Sequence, residues 1–162
     1  MSHPSLGLPL PAATAHGPAP AAADRLRAAK ARLGVRALEV ALESDPTLRE
    51  RLGETGLRFL LRDTDVYLER IALAVATGDP APVRDWVDWV VPVYRRRRVS
   101  TDDVATLTEG LRAALPSVLT PDEMAGAGAA LDDAIAVLKW HRRLGGDQHK
   151  RNALWNSLYR GA

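Results

Sequence analysis

With 162 residues, 46% of them hydrophobic, a formal charge of +2 and no cysteine, the chain has the size and apolar content of one soluble domain with its own core. The absence of cysteine excludes disulfides, thiol nucleophiles and thiolate metal sites. No run of about 18 apolar residues offers a membrane span, and the N-terminus lacks the basic and continuous apolar regions of a signal peptide, so a bacterial cytoplasmic protein is expected.

Residues 1–23 carry almost no charge and are dominated by Ala, Pro, Gly, Ser and Leu, which reads as a disordered arm. Order is expected from Asp24, with a helix to about Leu42 that places Leu26, Leu33, Ala37, Leu38 and Ala41 on one side, weakened midway by Gly34. A short helix from Pro46 ends around Gly53 and Gly56. The strongest amphipathic segment then runs from Leu57 to Ala76, with Leu57, Leu60, Leu61, Leu68, Ile71, Leu73 and Val75 assigned to the core side. Arg58, Arg62, Asp65, Glu69 and Arg70 fall on the wet side, and Gly78 caps the end.

A helix from Pro80 to about Arg97 holds Val83, Trp86, Val87, Val90, Val91 and Tyr94, with Trp89 three places after Trp86. Pro92 lies inside it and removes an N–H, which predicts a kink or an early end. Two complete helix starts follow, Val99-Ser100-Thr101-Asp102-Asp103-Val104 and Leu119-Thr120-Pro121-Asp122-Glu123-Met124. In each, a hydroxyl at the N-cap and an acid three residues on can exchange hydrogen bonds with each other's backbone N–H. The last long helix turns Met124, Ala127, Leu131, Ala134, Ile135 and Leu138 inward, and Gly126 and Gly128 would admit a close neighbouring helix.

After Gly145-Gly146, Lys150 and Arg151 precede an apolar edge of Leu154, Trp155, Leu158 and Tyr159. This basic tail, residues 145–162, is expected either to fold back and cap the domain's own core or to serve as the partner-binding segment with Trp155 as its anchor. Docking on a protein or self-association is favoured over nucleic acid, and a membrane surface is the less favoured alternative.

Catalytic templates are missing. There is no glycine-rich phosphate loop, no Gly-x-Ser-x-Gly elbow and no His-Glu-x-x-His helix, so no catalytic residue, metal site or cofactor is assigned. The carboxylate pairs Asp102-Asp103 and Asp132-Asp133 read as solvated structural groups. Trp86, Trp89, Tyr94, Trp140 and His141 are the candidate lining of a ligand pocket.

The run FLLRDTDVYLERIALAVATGDPAPVRDWVDWVVPVYRRRRVSTDDVATLTEGLRAAL, within residues 57–144, resembles the helical sensor modules that precede cobalamin-binding domains in bacterial regulators. It is similar also to the non-haem globin-type modules of RsbR stress-signalling proteins. The shared features are the Gly78-Asp79-Pro80 turn and the Val99–Val104 helix start. No Asp-x-His-x-x-Gly cobalt-ligand motif follows Gly146, so no cobalt ligand is carried over. The resemblance implies a freestanding regulatory or adaptor bundle.

The expectation is thus one all-α domain over residues 24–144, a globin-like or orthogonal helix bundle with extensions at both ends. Its expected function is that of a non-enzymatic sensor or adaptor working through protein contacts. The alternative is a protein that holds a tetrapyrrole, cobalamin or lipid-like molecule.

Overall fold

A computed structural model describes residues 16–145. They form five α-helices: α1, Pro20–Ser44; α2, Leu48–Thr77; α3, Ala81–Arg96; α4, Thr101–Ala114; and α5, Pro121–Gly145. A 3₁₀ turn, Leu115–Ser117, links the last two. No strand occurs among the described residues, and the all-α class expected from the helix-start signals is the observed one.

The helix boundaries follow local chemistry. Ser100 Oγ accepts from Asp103 N at 3.0 Å while Asp103 Oδ2 accepts from Ser100 N at 3.2 Å, a closed capping box. Thr120 and Glu123 repeat it at 3.4 and 2.9 Å. Gly78 ends α2 in the left-handed conformation, φ 73°. Ser100→Ala removes a backbone acceptor at a helix start and is expected to cost about 1 kcal/mol in a thermal melt.

Several expectations need correction. Helix α1 starts at Pro20 rather than Asp24: proline suits the first turn, Ala22 and Ala23 are fully buried, and Ala19 N donates to Val75 O at 2.9 Å. The uncharged composition there reflects close packing of small residues. Of the two outcomes expected at Pro92, the early end does not occur: α3 continues to Arg96, close to the expected Arg97, with Pro92 on the exposed face, where the Asp88 carbonyl it leaves unbonded can turn to water. Leu61 and Leu73, assigned to the core, are exposed.

Helix α2 is one segment by hydrogen bonding, but Gly53 (φ 62°, ψ 178°) breaks its helical backbone, dividing a short first part from the long amphipathic part. Helix α1 packs chiefly on α2 and α4, and α3 on α5. Glycine sets the α1–α4 crossing, since a Cβ on Gly110 would collide with the Ala37 carbonyl oxygen. Gly34 likewise leaves room for Thr64 of α2, so it serves packing rather than merely weakening α1. Gly126 faces His16 rather than a neighbouring helix.

Tyr67 sits at the centre of the core. Its hydroxyl donates to Thr108 Oγ1 at 2.9 Å, and Thr108 in turn donates to Val104 O at 2.8 Å. Its ring lies 4.6 Å from that of Trp86. Burial pushes the phenol above its ordinary titration range, so it stays neutral in the core. Asp103, expected to be solvated, is 3% exposed at its side chain and pairs with Arg51 at 2.6 Å, tying α2 to α4.

Candidate ligand-binding groove

Helices α2 and α3 leave between them a groove of about 840 Å³. Its α2 wall is the stripe Arg62, Val66, Arg70, Leu73, joined by Asp63; spacings of three and four put these on one face of the helix. Its α3 wall is Pro82, Trp86, Trp89, Val90, Val93 and Arg97, with Asp85 beside them and Asp79 in the connecting turn. The floor is apolar and the lips are charged. Trp89, 68% exposed, stands over the opening, and Val66 and Leu73 are exposed beside it.

One end of the groove carries a compact charged cluster. The guanidinium groups of Arg62 and Arg97 lie over the Phe59 ring at 5.1 and 4.7 Å, and both approach the Asp63 carboxylate, at 3.7 and 3.9 Å. Two cations share one anion, leaving a net positive end suited to an incoming carboxylate. Behind it, Tyr94 is buried, with the Asp63 carboxylate close to its hydroxyl. Burial pushes its phenol up, and the nearby Asp63 charge adds to that.

Of the pocket residues expected from sequence, Trp86 and Trp89 line this groove. Tyr94 belongs to the core behind it, and Trp140 and His141 lie elsewhere, at the contact of α3 with α5. His141 is buried, with Nε2 2.7 Å from Asp88 Oδ1 and its carbonyl accepting from Arg95 Nη2 at 2.5 Å. The Trp140 ring stands edge-on to it at 4.8 Å. This imidazole is a structural tie between two helices, and the five residues do not form one pocket.

The tail residues Lys150, Arg151, Leu154, Trp155, Leu158 and Tyr159 lie outside the described residues. The sequence reading missed Asp63, Arg62, Arg70, Asp79, Asp85 and Arg97 as groove residues. Their signal was the apolar Val66 in the middle of α2's polar face, out of phase with the core stripe.

Two other cavities are smaller. One of about 240 Å³ is lined by His16, Gly78, Asp122 and Gly126, and one of about 680 Å³ lies between α1 and α4 beside Arg32, Val35 and Glu39. Neither contains an aromatic side chain other than the His16 ring. Among the described residues no group of His, Asp and Glu could hold a metal ion, and no helix is long and apolar enough to cross a membrane.

The sequence model of the phycobilisome protein family matches residues 18–138. The chain is 30% identical over 88 residues to the allophycocyanin alpha subunit of Picosynechococcus sp., an alignment covering 54% of this chain and 55% of that protein. It therefore spans about half the length of the curated relative it matches. These matches overturn the resemblance to cobalamin-binding regulators and RsbR-type modules, and with it the reading as a regulatory or adaptor domain. That resemblance rested on helix punctuation at Gly78-Asp79-Pro80 and Val99–Val104, which many helical bundles share, whereas the family match runs from the start of α1 into α5. A non-enzymatic role and a protein partner are both consistent with the match. By the extent of that match over α1 to α5, the chain belongs to the phycobilisome protein family.

Proposed function

We propose that this protein binds an open-chain tetrapyrrole non-covalently in the α2–α3 groove. The observation that carries the reading is the pairing of an apolar, tryptophan-bearing floor with arginine and aspartate on both lips. An open-chain tetrapyrrole has the complementary chemistry: a long apolar conjugated body, inner N–H donors and two carboxylate side chains. The cavity volume falls within the roughly 300–1,000 Å³ of small-molecule sites.

The residues fit the group. Arg62 and Arg97 at one end and Arg70 further along are the carboxylate partners, able to form charge-assisted hydrogen bonds. Asp63, held between two guanidiniums, is the acceptor for ring N–H groups. Trp86 and Trp89 supply flat apolar surface. When bound, the pigment supplies visible-light absorption; the protein's share is to hold it extended and exclude water. With no cysteine in the chain, no thioether can anchor it, so affinity rests on these contacts and binding is reversible. Membership of the family supports pigment binding over catalysis, and we extend the reading to a role in contact with other protein subunits.

The test is a titration with biliverdin followed by tryptophan quenching. Val66→Glu and Arg97→Ala, both at exposed positions, are expected each to weaken binding by about tenfold or more without lowering the melting temperature. Binding that neither variant weakens would place the pigment outside this groove.

A further inference from the structure

The groove does not account for the four consecutive arginines at the end of α3. Arg95 is tied to the His141 carbonyl and Arg97 to Asp63, but Arg96 and Arg98 are exposed and reach no carboxylate among the described residues. Arg98 also occupies a left-handed position, φ 61°, and it alone among the non-glycine described residues has positive φ. It closes the helix, with Val99 N donating to Tyr94 O at 3.0 Å and Arg98 N to Arg95 O at 3.1 Å, a place where glycine is the unstrained choice. An arginine there sets charge against backbone comfort.

The solvent face of α3 leads into this corner. Asp85, Trp89, Pro92 and Arg96 recur at spacings of four, three and four, so they lie along one exposed stripe. An exposed tryptophan followed by arginines is the composition of a protein-interface hot spot.

We propose that the stripe from Trp89 to Arg96, with Arg98, is a docking surface for a protein partner that offers an apolar pocket to Trp89 and carboxylates to Arg96 and Arg98. A second copy is the weaker candidate, because a two-fold contact here sets arginine against arginine. Nucleic acid is disfavoured by Asp85 on the stripe and by Asp63 and Asp79 beside it.

The probe is a fluorescein-labelled amphipathic peptide of glutamate and leucine, titrated against the full chain without pigment, so that failure here is separate from failure of pigment binding. Trp89→Ala is expected to weaken peptide binding by about tenfold, and Arg96→Gln by about fivefold. Arg98→Gly should weaken it while raising the melting temperature, a combination that a purely structural arginine would not give. Peptide binding unchanged in all three variants overturns the proposal. So does tighter binding of single-stranded DNA or anionic vesicles than of the peptide, or a dimer in light scattering that Trp89→Ala dissociates.

Discussion

Replacing Asp103 by alanine is expected to lower the unfolding free energy by about 2–4 kcal/mol, among the largest effects of any polar substitution in the chain. The carboxylate does two things at once. It closes the α4 capping box through Ser100 N, and it accepts from Arg51 Nη2 at 2.6 Å across 52 residues of sequence. Removing it opens the reciprocal half of the capping box, leaving Ser100 N without its acceptor, and takes from the half-exposed Arg51 guanidinium one of its two carboxylate partners. Arg51 keeps its contact with Asp45 at 2.7 Å, which holds the cost below that of a wholly orphaned charge. Urea unfolding measures the loss; a value under about 1 kcal/mol would mean that the pair behaves as a surface ion pair.

Trp86→Ala is expected to cost about 3–5 kcal/mol, from lost apolar burial plus the cavity left beside Tyr67. The indole is buried, packs against the Tyr67 ring at 4.6 Å and belongs to the main core cluster while one edge lines the groove. The variant should therefore lose stability and pigment affinity together. Trp89→Ala should spare stability, because its ring is mostly in water. A melting temperature unchanged in Trp86→Ala would show that the α2–α3 packing is not as described.

Much of the fold was legible because its determinants are local. The Ser100 and Thr120 boxes and the left-handed Gly78 each act within a few residues, and the starts of α4 and α5 and the end of α2 fall where they predict. Groove chemistry was not legible for the opposite reason. Arg62 and Arg97 are 35 positions apart and acquire a shared role only when α2 and α3 bring them over Phe59. Read alone, Arg62 and Arg70 are indistinguishable from the solvated face of any amphipathic helix. Leu61 and Leu73 misled the periodicity argument by being apolar on that face, where Leu73 lines the groove rather than the core. Trp140 and His141 looked like a ligand pair because an aromatic beside an imidazole is chemically suggestive, yet Asp88 takes the imidazole for packing α5 on α3.

The family likeness was misread in the same way. Turns and caps report where helices begin and end, and they are shared by unrelated helical domains, whereas the groove-facing residues that distinguish such domains are dispersed over α2 and α3.

The visible absorption spectrum of the purified full chain mixed with biliverdin tests the central claim most directly. A groove that confines the pigment should change and sharpen its visible band, saturate at one pigment per chain, and release it on denaturation because no thioether forms. Asp63→Ala should abolish the change while the circular dichroism stays helical. A spectrum identical to that of free biliverdin, or a changed band that survives in both Asp63→Ala and Arg97→Ala, would contradict the account.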